Sequence, residues 1–200
     1  MLTLCIVCSK DDIKIDRKYD GYVGVDRGAL ILAKQHRVME MAIGDFDSIS
    51  AKELEVVKQF SKTIESLNPI KNESDLEATL KIWASKATTI HVYGALNGRL
   101  DHQYVNMQLM KKYHNVHLLN QQNHLMVLDD DAKVMADGFQ YFSIFALKES
   151  IVSIRNAKYE ISNVTLTVND IYTLSNEFID DMTNIDIHRG EVILIKSKDK

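Results

Sequence analysis

The chain has 200 residues, 46% hydrophobic and 26% charged, which is ordinary for a folded protein and long enough for one large domain or two small ones. Its 24 Lys+Arg and 28 Asp+Glu give a formal net charge of −4 with no long basic run, a poor profile for nucleic-acid binding, which depends on neutralising phosphates. No apolar stretch reaches the ~20 residues of a membrane helix, and the run from Met1 to Ser9 lacks the basic start and cleavage site of a signal peptide, so a cytoplasmic protein independent of membranes is expected.

Residues 2–7 read as a strand, residues 21–26 (GYVGVD) as a second, and residues 27–36 as a helix. The cysteines of the first strand, Cys5 and Cys8, form a C-x-x-C. Positions three apart on a strand point to opposite faces, and no second pair exists to complete a zinc site, so they read as small core residues. Residues 41–43 lead into GDFDS, residues 51–60 look helical, and residues 63–67 form a further strand. Leu76, Leu80, Trp83 and Ala87 recur at helical spacing, with Ser74 and Glu77 placed as a capping box. Residues 88–94 are strand-like, 101–113 helical and 116–119 strand-like.

After about Gln122 the pattern changes to short alternating runs: HLMVLD, KVMAD, YFSIFAL, IVSIRNA, TLTVND, IDIHRG and EVILIKS. The expected architecture is α/β. A mainly parallel sheet with flanking helices occupies residues 1–122, followed by an all-β sandwich over residues 123–200. The single proline, Pro69, is far from that boundary, so no Pro-rich linker separates the halves.

Aspartates follow several of the predicted strands. Asp26 ends GYVGVD, Asp45 and Asp47 share one short loop, Asp75 opens a helix, and Asp101 follows the GALNGR turn. Any one of these is more simply a turn or helix cap. Asp45 and Asp47 together put two carboxylates on one loop, which is chemistry suited to Mg2+ and its phosphate ligands. In the segment GALNGRLDH, Gly94 and Gly98 allow tight turns, Arg99 offers a planar fork for phosphate, and Asp101 and His102 open a helix whose N-terminus favours anions. The Walker-type loop, the dinucleotide fingerprint and the protein-kinase signatures are all absent from the sequence.

In this order the segments GVDRG, GDFDSI, SDLEATL, GALNGRLDH, QNH and LSNEF resemble the thiamine pyrophosphokinase family. The resemblance implies transfer of the diphosphate of ATP to the hydroxyl of thiamine, giving thiamine diphosphate and AMP. It implies Mg2+ as cofactor and a homodimer with thiamine near the subunit boundary. Carried over by position, Asp45, Asp47, Asp75 and Asp101 serve the metal and the reacting phosphates, and Arg99 stabilises phosphate charge. Asp26, Arg27, Gly28, Gly98, His102, Gln122 and Asn123 fall on the nucleotide side, and Ser175 and Asn176 face the thiamine ring. Two readings compete with this one. DFDS is similar to an aspartyl-phosphatase motif, with Ile49 in its Thr/Val place; the other is a thiamine- or nucleotide-binding sensor without turnover, against which the acidic cluster argues, because binding ATP alone does not need so many carboxylates.

Overall fold

The computed structural model describes residues 2–68, 70 and 72–199; Met1, Pro69 and Lys200 of the sequence reading lie outside them. The chain divides into two compact units, Met1–Leu119 and Asn120–Lys200. No helix among the described residues is long and apolar enough to cross a membrane.

The first unit alternates strands and helices. In chain order it contains β1 (Thr3–Val7), β2 (Gly21–Val25), α1 (Arg27–Lys34), β3 (Met41–Gly44), α2 (Ala51–Gln59), β4 (Ile64–Ser66), α3 (Asp75–Trp83), β5 (Thr89–Tyr93), α4 (Leu100–Lys112) and β6 (Val116–Leu119). Its strands lie in the order β6-β5-β1-β2-β3-β4, and every pairing is parallel. β2 is buried at every position, as expected of a strand covered on both faces. The chain builds outward from β1 through β4, then returns to the other side of β1 for β5 and β6. The order therefore reverses between β1 and β5, the kind of point where open α/β sheets bind ligands at their carboxyl ends.

Local chemistry sets the helix ends. Ser50 and Glu53 form a full capping box at α2, which the sequence reading did not single out. At α3 the expected box is half made: Ser74 accepts from the Glu77 N–H, while the Glu77 carboxylate goes to Lys112 at 3.1 Å. That helix stops at Trp83, and Ala87 is buried in the following turn rather than on a fourth helical turn. The core over β1 and β2 joins Cys5, Val7 and Tyr22 to Ala29, Leu30 and Leu32 of α1. Cys5 belongs to that core, and both cysteines are free thiols.

The second unit is all strand. It comprises β7 (Asn123–Leu128), β8 (Ala132–Met135), β9 (Tyr141–Ala146), β10 (Ser150–Arg155), β11 (Ile161–Leu166), β12 (Asn176–Glu177), β13 (Met182–Arg189) and β14 (Val192–Ser197). Two antiparallel sheets, β12-β9-β14-β7 and β11-β10-β13-β8, supply a shared core in which Phe142, Ile144 and Leu194 meet Val152, Ile154 and Ile185. The fold class read from periodicity holds in both units. One run was misplaced: TLTVND was read as a strand, but β11 ends at Leu166. The Asp170 carboxylate then accepts from the Thr167 N–H and hydroxyl, a side-chain turn that competes with strand pairing.

Phe142 is fully buried and stacks on Phe178 at 4.8 Å between ring centroids. Phe142→Ala should cost about 3–5 kcal/mol by removing contacts that the sandwich cannot close over. Urea unfolding followed through the β signal would show this as a lowered midpoint.

Candidate active site

The cavity at the carboxyl ends of β1, β2 and β3 has a volume of about 390 Å³, and its lining includes Asp26, Asp45, Asp47, Glu73 and Asp75. Arg27, Lys10, His102 and Asn106 also line it. Each carboxylate arrives from a different local device. Asp26 follows β2 with φ 48°, a conformation most side chains avoid, and it stands at the N-terminus of α1 without making a capping bond. Gly44 ends β3 so close to it that a Cβ there would lie 1.8 Å from Asp26 Oδ1. The Asp45 N–H donates to that same oxygen at 3.2 Å, and the Asp47 N–H donates to Asp45 Oδ1 at 3.2 Å. Asp75 is the first residue of α3, behind the Ser74 cap, and Glu73 is held by Lys81. A backbone held in a sparsely populated region beside clustered acids is characteristic of a functional site.

The crowding acts on Asp26. Burial pushes Asp26 up to about 7, helped by the charge of Asp75, a hydrogen bond from the Asp26–Asp75 pair, and the charge of Asp45. Among the described residues, no three of these carboxylates bring oxygens within 4.8 Å of one another. Asp26 and Asp75 are nevertheless within hydrogen-bonding reach of each other. The donors are all hard oxygens, and the crowding of like charge is what a divalent cation relieves, so the set fits Mg2+.

A second cavity of about 300 Å³ adjoins at the β1 and β5 ends, lined by Gly94, Asn97, Gly98, Arg99, Cys8, Lys10, Asp11, His102 and Asn106. Positive φ in this turn falls on Gly94 and Gly98, so Asn97 needs no special conformation. Arg99 holds Asp101 through two hydrogen bonds, which draws the Asp101 carboxyl down to about 2. Asp101 thus faces Arg99 rather than lining either cavity. His102 lines both, and so does Asn106 one helical turn later, a residue the sequence reading missed although i and i+4 share a helix face. Gly28 lies in the first turn of α1 against the Val7 carbonyl. The Cys8 thiol, pushed up to about 12 by burial and by Asp26, is not a reactive thiolate.

The remaining expected site residues belong to the second unit. Gln122 lies in the turn before β7 and Asn123 opens that strand, and both N–H groups donate to Asn120 Oδ1. Ser175 has φ 55°, and its N–H donates to Ser143 Oγ. Asn176 is buried and clasps the backbone of Tyr159, accepting from its N–H at 3.0 Å and donating to its carbonyl at 2.8 Å. Asn176 also lines a cleft of about 240 Å³ with Tyr159, Ile161, Tyr172 and Leu174. The aromatic walls were missed because Tyr159 and Tyr172 stand in loops with no periodic signal.

The raised Asp26 carboxyl predicts a stability profile for the metal-free protein. The folded state holds a proton that the unfolded chain releases near pH 4, so the contribution of Asp26 to stability is greatest at low pH and is lost as pH rises through about 7. In a chelator buffer, Asp26→Asn should be more stable than the wild type at pH 8 and show a smaller difference at pH 5. The gain at pH 8 should be about 1 kcal/mol, well below full linkage because solvent screens a partly buried group. Thermal melts of both proteins at the two pH values measure it.

Comparison with known proteins identifies the family. The family model described as "Thiamin pyrophosphokinase, catalytic domain" matches residues 14–126, and "Thiamin pyrophosphokinase, vitamin B1 binding domain" matches residues 127–192. The chain is 27% identical over 188 residues to a thiamine pyrophosphokinase of Bacillus subtilis (strain 168), covering 89% of this chain and 87% of that protein. A crystal structure of thiamine pyrophosphokinase from Bacillus subtilis superposes with a TM-score of 0.87 at 25% identity, over 99% of this chain and 100% of the other. One from Geobacillus thermodenitrificans gives 0.83 at 27% identity, over 100% and 99%. The chain belongs to the thiamin pyrophosphokinase family.

Proposed function

We propose that the chain is a thiamine diphosphokinase that transfers the diphosphate of ATP to the hydroxyl of thiamine and releases AMP. The observation that carries this reading is the gathering of Asp26, Asp45, Asp47 and Asp75 from separate segments into one cavity at the strand ends. Asp45, Asp47 and Asp75 would hold Mg2+, which when bound would neutralise phosphate charge and align the displacement; Asp101, which the resemblance also assigns to the metal, faces Arg99 instead. Arg99, fixed by Asp101, presents its guanidinium to the phosphates, with His102 and the turn through Gly98 in the same cavity and Arg27 in the carboxylate cavity. The alcohol oxygen of thiamine bonds to the β-phosphorus, the bond from that phosphorus to the α-phosphate oxygen breaks, and the alcohol proton passes to a carboxylate. Asp101 is a poor acceptor because Arg99 holds its carboxyl low, which leaves Asp75 as the favoured base. Alignment and charge neutralisation supply most of the catalysis in such transfers.

The cleft of the second unit takes the thiamine rings, with Tyr159 and Tyr172 as aromatic walls for a cationic heterocycle. Asn176 acts there through Tyr159, whose backbone it fixes. Gln122 and Asn123 are kept as nucleotide-side residues and Ser175 as a thiamine-side residue on the resemblance alone, as are the cytoplasmic location and the homodimer. The phosphatase and sensor readings are not favoured, because both parts of the family match point to the kinase.

Incubation with ATP, Mg2+ and thiamine should give one AMP per thiamine diphosphate; ADP with thiamine monophosphate would overturn the reading. Asp47→Asn and Asp75→Asn should each lower turnover by about 100-fold or more, as when one electrostatic stabiliser is lost. Tyr172→Ala should weaken thiamine binding by about 1 kcal/mol or more while MgATP affinity holds, as calorimetric titration with each ligand would show.

A further inference from the structure

The two cavities of the first unit share one lysine. Lys10 follows β1 at the point where the strand order reverses, and it lines both the carboxylate cavity and the Arg99 cavity. Its backbone is fixed on three sides. The Cys8 N–H donates to the Tyr93 carbonyl at 2.9 Å, tying the segment to the end of β5. Ser9 is buried against Gly94 so closely that a Cβ on that glycine would come within 2.6 Å of the Ser9 backbone. Ser9 Oγ accepts from the Asp11 N–H at 3.1 Å and donates to the Asp11 carbonyl at 2.8 Å, closing a turn with Lys10 at its tip. Two backbone donors of the segment, those of Cys8 and Asp11, are thereby consumed and cannot cradle an anion.

The Lys10 side chain is different. It is exposed, and no ion pair to it exists among the described residues, whereas the other cation of the second cavity, Arg99, is engaged by Asp101. An ammonium on a flexible stem, rooted in a pinned turn between a metal-binding wall and a guanidinium, has the charge and reach to bridge a polyphosphate lying across both cavities.

We propose that Lys10 is a phosphate-binding residue of the diphosphate transfer, contacting the polyphosphate of the nucleotide where it passes from the carboxylate cavity to the Arg99 cavity. This inference rests on the kinase reading above but names a residue to which neither the sequence motifs nor the resemblance assigns a role.

The test compares the full-length wild type with Lys10→Met and Lys10→Arg. Calorimetric titration with MgATP in the absence of thiamine should show a loss of at least about 10-fold for Lys10→Met, the scale of one charge-assisted contact, and recovery of most of it in Lys10→Arg. Turnover should show a larger fall in kcat/KM for ATP with the KM for thiamine unchanged. Mn2+ titrated into the nucleotide-free protein should bind Lys10→Met at least as tightly as the wild type, because a cation has been removed beside the carboxylates. MgATP affinity within twofold of wild type in Lys10→Met, or an equal loss for thiamine, would overturn the role of Lys10. A wild type that binds MgATP through Lys10 yet makes no thiamine diphosphate would sink the kinase reading and leave the Lys10 contact standing.

Discussion

Repulsion among carboxylates at the strand ends is the constraint on which the active half of this molecule depends. Asp26, Asp45, Asp47, Glu73 and Asp75 line one cavity, and the burial and crowding show directly in the raised Asp26 carboxyl. Holding them there costs backbone strain at Asp26, and it requires a glycine at 44 because no side chain fits beside that carboxylate. The rigid parallel sheet supplies the restraint: β2 and β3 are neighbours in register, and the Asp26 N–H donates to the Ile43 carbonyl at 2.9 Å. A site that is unfavourable when empty gains most when a cation arrives, so the arrangement makes sense as one half of a charge pattern whose other half comes with the substrate.

Arg27 lines the carboxylate cavity, and two further cationic groups come from other strands. Arg99 and Lys10 belong to the turns after β5 and β1, on either side of the reversal in strand order, while the carboxylates follow β2 and β3 and open α3. A polyphosphate presents metal-bridged and metal-free oxygens along its length, and this layout offers both kinds of partner in one crevice. α4 contributes to the same crevice through His102 and Asn106, although few of its residues are buried. Its lining role therefore depends on position rather than on core packing.

Much of this was legible in the sequence because two periodicities are involved. Continuous apolar strands alternating with amphipathic helices gave way after Gln122 to two-residue alternation, while the compact units divide at Leu119. Several aspartates stand out in the sequence because of where they fall: Asp26 and Asp45 directly follow β2 and β3, and Asp75 opens α3. Hidden from the sequence were features that depend on contacts distant along the chain. Nothing local shows that Asn176 spends its amide on Tyr159, or that Ser9 packs on Gly94 and so fixes Lys10. The pairing of Asp101 with Arg99 is local, yet its two-residue spacing does not distinguish an ion pair from two independent ligands. The TLTVND segment was misread because a threonine-rich alternating run and an Asp-closed turn share a composition, and hydrogen-bonding chemistry decides between them.

The account stands or falls on the carboxylate cavity being the cation site. Mn2+ binding to the nucleotide-free protein, followed by electron paramagnetic resonance of the free ion, tests this without relying on turnover. The wild type should bind one ion per chain, Asp45→Asn/Asp47→Asn should abolish that binding, and Asp101→Asn should leave it within about twofold, since Asp101 faces Arg99. Undiminished binding in the double variant, or loss in Asp101→Asn alone, would contradict the assignment.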